Sequence, residues 1–231
     1  MTVLHLADAG EAADLAAFLA RLIHYDRAAA VRLQASGTAL AVFGRPPSFE
    51  VLAVRTARLD KPYENGIEAT LDVTVSAGEL LESLDEPTAT VTVPGAVTGP
   101  PWAGVLPPRG GWQREPGLPG PTAVRTMVAA AVAEFRSRTE ELAAERRTRA
   151  ELDRIGREIW SRPVGDTGLP VRAAHAAQSL GFLRPPRPDA ADEERLGLYS
   201  SGAWLRLRTP YGSIAVRRAG TGSGALGVSV R

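Results

Sequence analysis

Side chains able to move a proton or hold a metal are few in this chain of 231 residues. It has three histidines, His5, His24 and His175, and no two stand at the spacing of a metal-ligand pair or a catalytic triad. His24 ends an amphipathic stretch with Asp26 nearby, yet no Ser or Cys nucleophile sits in a recognisable frame and no G-x-S-x-G occurs. A helix-terminal histidine favoured by the C-terminal dipole accounts for it. His175 lies between alanines and is expected to be half-buried or at an interface. The absence of cysteine removes thiolate nucleophiles, disulfides and iron–sulfur ligands, and takes from a structural zinc site its usual thiolates. Lys61, the one lysine, stands in a loop before Pro62.

Two further patterns resemble sites and are read otherwise. Glu79, Glu82, Asp85 and Glu86 lie on successive turns of a short helix whose Leu80, Leu81 and Leu84 face inward. A hydrolytic or metal cleft needs opposed carboxylates, so these form a solvated face. Gly222-Ser-Gly224-Ala-Leu-Gly227 satisfies G-x-G-x-x-G, but four residues follow it, and a dinucleotide site needs a helix there. It is read as a tail or edge strand. No catalytic, cofactor-binding or metal residue is predicted, and no cofactor.

Arginine is the richer signal. Net charge is −6 over residues 1–95, +3 over 96–162 and +4 over 163–231. Arg184, Arg187, Arg206, Arg208, Arg217 and Arg218 follow a helix at 170–181, with Trp204 and Tyr211 interleaved. Helix then hairpin is the order of a winged helix, which would make these arginines a nucleic-acid surface and 170–181 the reading helix. That helix offers only Arg172, His175, Gln178 and Ser179 as polar groups, which is thin for phosphate and base contacts.

The elements that would position these groups follow from periodicity. Residues 2–6 predict a strand. Asp8 and Glu11 resemble a capping box before a helix at about 11–24, striped by Leu15, Phe18, Leu19, Leu22 and Ile23. Strands follow at 30–34, 38–43, 49–59 and 67–75. In the third, Phe49, Val51, Ala53 and Arg55 share one face, and both faces are apolar enough for a central strand. A short helix at 77–84 and a strand at 88–93 complete the order β-α-β-β-β-β-α-β, an α+β pattern with an antiparallel sheet and two helices. This order, above all the strand–short helix–strand run from 67 to 93, resembles one sliding-clamp-type subdomain; the likeness is one of fold and implies no replication role.

Residues 94–121 hold 8 Pro and 7 Gly, yet include Trp102 and Trp112. Two large apolar rings in a free tether would be wasteful, so the segment is predicted to be extended and pinned to the sheet. Beyond it, Pro121 begins a long charged helix, or two with a bend, to about 161. Val124, Val128, Ala131, Val132 and Phe135 stripe its first half, and Leu142 is the only sizeable apolar residue from 136 to 150. Its middle is either solvated all round or touches another chain. A small helix at 170–180 capped by Gly181 follows, then a hairpin of 203–208 and 214–218 turning at Thr209-Pro-Tyr-Gly212. The chain thus divides into a sheet domain at 1–95, a Trp-anchored connector at 96–120 and a helical and hairpin region at 121–231.

The spacing of Trp102, Pro107-Pro108 and Trp112, then the charged helix and the closing hairpin, resembles a widespread actinobacterial family of conserved hypothetical proteins. The resemblance implies no activity and no functional residues. With no signal peptide or membrane span visible, the sequence predicts a cytoplasmic, non-enzymatic interaction or scaffold protein, self-associating or bound to a protein partner, with no membrane association. Trp102, Trp112, Arg138, Leu142 and Arg149 are its candidate contact residues. Nucleic-acid binding through the six arginines, and an enzyme whose site lies under 94–121, are the alternatives.

Overall fold

The computed structural model describes residues 2–62, 70–100, 102, 106–185 and 196–218. The first elements follow the predicted order. Strand β1 (Val3–His5) leads to helix α1 (Ala9–Tyr25), capped by Asp8, whose side chain accepts from the Glu11 N–H at 2.8 Å. Strands β2 (Ala30–Ser36), β3 (Ala39–Gly44), β4 (Leu52–Arg58) and β5 (Thr70–Ser76) come next. They are followed by helix α2 (Ala77–Glu82) and two short strands, β6 (Leu84–Asp85) and β7 (Thr90–Thr92). Strand β4 starts three residues later than the alternation suggested, because Phe49 and Glu50 form a turn in which Glu50 takes a left-handed φ of 52°.

Three strands had no sequence expectation: β6, which takes Leu84 and Asp85 out of the predicted short helix, β8 (Gln113–Glu115), inside the Pro/Gly-rich segment, and β9 (Gly197–Ser201). The hairpin arms are β10 (Trp204–Thr209) and β11 (Gly212–Arg217). Eight strands form one antiparallel sheet in the order β5-β2-β3-β4-β11-β10-β9-β8. Its first four strands have Greek-key order, with β5 returning to lie beside β2. The C-terminal hairpin is therefore not a projecting wing. Strand β11 pairs with β4, Ser213 opposite Val54 and Ala215 opposite Leu52, so the hairpin continues the N-terminal sheet. Residues from all three segments, 1–95, 96–120 and 121–231, contribute strands to it. A small second sheet has the order β1-β7-β6.

The stretch read as one long charged helix, or two with a bend, is two helices: α3 (Pro121–Glu140) and α4 (Arg149–Trp160), joined through a 3-10 turn at Ala144–Arg146. They run antiparallel, since Arg138 pairs with Glu158 at 2.7 Å and Glu134 with Arg162 at 2.5 Å. Arg147 closes the break by donating to the carbonyls of Leu142 and Glu140. Thr148 then caps α4 by accepting from the Glu151 N–H. Helix α5 (Val171–Ser179) ends at Gly181, whose φ of +77° suits a residue without a Cβ. Phe182 N–H reaches back to the Ala177 carbonyl there, completing a Schellman cap.

Packing puts the helices on one face of the large sheet. Leu15, Phe18, Leu19 and Leu22 of α1, Val124 and Val128 of α3, Ile155 and Ile159 of α4 and the alanines of α5 bury against Val31, Leu33, Val42, Leu205, Leu207 and Ile214 of the strands. Phe18 stacks on Phe182 with ring centroids 5.5 Å apart, tying α1 to the chain after α5.

Candidate functional site

Because side chains alternate along a strand, the residues that do not face the helices form a second surface. On β4 these are Leu52, Val54 and Thr56; on β10, Trp204, Arg206 and Arg208; on β11, Ser213, Ala215 and Arg217. Leu52, Val54, Trp204 and Ala215 make an apolar patch covered by Trp102 of the Pro/Gly-rich segment, with Phe43, Leu106 and Trp112 packed around it. Trp102 is 7 % exposed and donates its indole N–H to Thr74 Oγ1 at 3.0 Å. Two of the arginines brace the aromatic rings: the Arg217 guanidinium lies 4.9 Å from the Trp204 centroid and that of Arg206 5.7 Å from the Trp112 centroid. The patch has a depression at either end.

The larger is a cleft of about 760 Å³ where the β3–β4 loop, the α1–β2 turn, residues 98–100, the start of α5 and the end of β11 meet. Arg45, Arg172 and Arg217 line it from three different elements, beside Asp26 and Glu50; Pro46, Pro47, Val51, Leu52 and Trp204 form its apolar walls. Asp26 is engaged locally, accepting from the Ala28 N–H at 2.9 Å. The Glu50 carboxylate stands 4.0 Å from Arg172 Nε, beyond hydrogen-bond reach, and that buried Nε meets no acceptor among the described residues. Arg45 has no ion-pair partner among the described residues.

The smaller depression is a notch of about 190 Å³ beside the β10–β11 turn, lined by Arg55, Arg206, Arg208, Thr56, Thr209, Pro210, Gly212 and Ser213. Arg206 Nε donates to Ser213 Oγ at 2.9 Å. Burial, joined by the neighbouring charge of Arg208, draws the Arg206 guanidinium below its ordinary pKa.

Of the six arginines read from the sequence as a nucleic-acid surface, the fold keeps Arg206, Arg208 and Arg217 on this face and sends Arg184 and Arg218 elsewhere. Arg184 pairs with Asp14 and covers the Tyr211 ring at 3.6 Å, while Arg218 pairs with Glu115 at 2.6 Å. Arg187 and the glycine motif at 222–227 lie outside the described residues. Helix α5 buries Ala173, Ala174, Ala176 and Ala177 against the sheet and α3, so the proposed reading helix is a core element. The residues read as partner contacts are largely used within the chain. Trp102 is buried, Trp112 and Leu142 pack at cluster edges, and Arg138 binds Glu134 and Glu158. Arg149 is exposed beside Asp153. Glu79, Glu82, Asp85 and Glu86 are all exposed, and among the described residues no three His, Asp or Glu side chains group to hold a metal. His175 is half-buried, stacked on Trp160 at 4.7 Å, and burial draws its imidazole below the ordinary value.

Sequence reasoning missed the most buried polar cluster. Arg55 has a side chain only 6 % exposed and binds Glu11 at 2.7 Å and the Tyr211 carbonyl at 3.3 Å, with Asp14 at 3.6 Å. The signal was an arginine in phase with the buried face of β4. Its partners lie far away in the chain and carry no local mark.

Fold and site thus define an α+β protein with an eight-stranded antiparallel sheet, helices on one face and an arginine-lined, tryptophan-centred surface on the other. Residues 1–104 match the family described as Domain of unknown function (DUF8010), and residues 107–221 match Domain of unknown function (DUF8185). Together the two matches span most of the chain, and neither domain has an assigned function. No curated protein and no solved structure matches it. The boundary between the two matches falls within the tryptophan-bearing segment, and the sheet crosses it through the β4–β11 pairing. Among the described residues, no helix is long and apolar enough to cross a membrane.

Proposed function

We propose that the protein is a cytoplasmic, non-enzymatic binding protein whose ligand is a small organic carboxylate held in the 760 Å³ cleft. The observation that carries this reading is the convergence of Arg45, Arg172 and Arg217, from a loop, a helix and a strand, on one cleft with apolar walls. A cavity of this size in which polar groups converge beside apolar walls is a common form of small-ligand site. The planar guanidinium fork suits a carboxylate, which it can bind through two parallel hydrogen bonds. Glu50 supports the ligand class: a carboxylate already stands near Arg172 without bonding to it. An incoming carboxylate would give the buried Nε neighbourhood the acceptor it lacks. The cysteine-free chain makes no demand on an oxidising compartment.

Thermal shift of the full chain against aliphatic and aromatic mono- and dicarboxylates, in phosphate-free buffer, tests the reading. A ligand at 100 times its Kd stabilises by about 2.7 kcal/mol and raises the melting temperature by several degrees. Arg45→Ala with Arg172→Ala should weaken that ligand at least tenfold, and Glu50→Gln should tighten it. If no carboxylate shifts the transition, or the double variant binds as well as the parent, the cleft is not the site.

A further inference from the structure

We infer that the notch between β4 and the β10–β11 turn is a second binding site, specific for a single tetrahedral oxyanion of the phosphate type. Two guanidiniums, those of Arg206 and Arg208, stand on its face of the sheet; Arg55, Thr56, Thr209 and Ser213 are also among its lining residues, and no carboxylate is. The three cations differ in what they already hold. Arg55 is turned toward Glu11 and Asp14 on the helix side of the sheet. Arg206 and Arg208, two residues apart on one strand face, have no ion-pair partner among the described residues. Among the described residues the one hydrogen bond that Arg206 makes is from Nε to Ser213, so its terminal nitrogens donate to none of those groups.

That arrangement is unfavourable as it stands. A partly buried guanidinium is normally paired, and a like charge beside it adds repulsion. An anion between the two removes both costs. The notch also selects the kind of anion. At about 190 Å³ it takes a phosphate-sized group readily, so the selection falls to its donors rather than to its size. Two guanidinium forks and the hydroxyls of Thr56 and Ser213 supply donors from several directions, as tetrahedral oxygens require. The Ser213 hydroxyl accepts from Arg206 and still has its own hydrogen to give. The notch and the carboxylate cleft share no lining residue, so the two sites stand or fall separately.

Isothermal titration of the full chain with inorganic phosphate, phenyl phosphate and a short single-stranded oligonucleotide, at two salt concentrations, tests the assignment. Inorganic phosphate and phenyl phosphate should bind alike, and Arg208→Gln, on an exposed side chain that does not hold the fold, should weaken both at least fivefold. Arg206→Lys, which keeps the charge and loses the fork, should weaken them further, while Arg45→Ala should leave them unchanged. The assignment is overturned if phosphate does not bind at tens of millimolar, if it binds equally to the Arg208→Gln protein, or if the oligonucleotide binds far more tightly than phosphate does. The last result would make the face a nucleic-acid surface.

Discussion

Arg55 shows what one residue contributes here. It sits in β4 with its side chain 6 % exposed, against Glu11 and Asp14 side chains each 13 % exposed. Arg184, 170 residues along the chain, reaches Asp14 and lies on the ring of Tyr211, whose carbonyl Arg55 also bonds. The cluster therefore joins α1 and β4 of the first matched domain to the turn of β10–β11 in the second. Removing the cation leaves Glu11 to Arg58 and Asp14 to Arg184, each nearly buried carboxylate short of one partner. Arg55→Ala should cost about 2–3 kcal/mol, since charge-assisted hydrogen bonds are lost while each carboxylate keeps one cation. Arg149→Ala, at a side chain 93 % exposed, should stay within about 0.5 kcal/mol. Urea denaturation of both variants checks this, and equal losses would refute the distinction.

At the scale of elements, the α3–α4 hairpin shows how local signals and distant ones divide the work. Its second helix starts at Thr148, three residues before Glu151, a capping-box spacing in the sequence that marks a fresh helix start. Thr148→Ala should cost about 1 kcal/mol, read from the chemical-denaturation midpoint. Glu134 and Glu158 face Arg138 and Arg162 across the pair of helices. The hydrogen bond from Arg138 holds the Glu158 carboxyl down at about 2, and that from Arg162 lowers Glu134. A carboxyl held lower in the folded than in the unfolded chain stabilises fully above its ordinary value and loses that contribution as pH falls. For Glu158 the window runs from 4.5 down to about 2. His175, lowered by burial, adds a loss of the same sign that begins below 6.5. Amide protection in 121–160, taken relative to intrinsic exchange at each pH, should therefore fall across that window, and Glu158→Gln should flatten the response there. An unchanged pH profile in that variant would remove the pair from the account.

For the whole molecule, the decisive contact is β4 against β11. It makes one sheet from two matched domains and sets Leu52, Val54, Trp204 and Ala215 under Trp102. Residues 1–104 alone would leave β4 as an exposed edge, with the patch of Leu52 and Val54 short of Trp204 and Ala215, a template for aggregation. That fragment should be insoluble or lack a cooperative thermal transition, whereas the full chain melts as one unit; a soluble, cooperatively folded fragment would show that the two halves are independent. Gly212 guards the same joint, since a Cβ there would lie 2.6 Å from Phe182 Cζ. Gly212→Ala should lower stability by about 1–3 kcal/mol through overpacking, as a lower melting temperature.

Periodicity and punctuation in the sequence sufficed for the α+β class, for α1 with its Asp8 cap, for β2 to β5, for the Gly181 cap and for the β10–β11 hairpin. Each depends on neighbours within a few residues, where side-chain spacing and backbone preference act directly. The tryptophans likewise announced a packed segment, because rings of that size have to be covered. Only the tertiary structure decided that the hairpin enters the first sheet, that β8 and β9 exist, and that the long charged stretch folds back on itself. Strand pairing depends on which edge is free, and β8 is three residues long, too short to show a period. The same holds for the arginines. Their number is written in the sequence, but whether each meets a carboxylate, a ring or an open cleft depends on groups up to 170 residues away, as for Arg184 and Asp14. Charge acts through space, and the fold alone sets those distances.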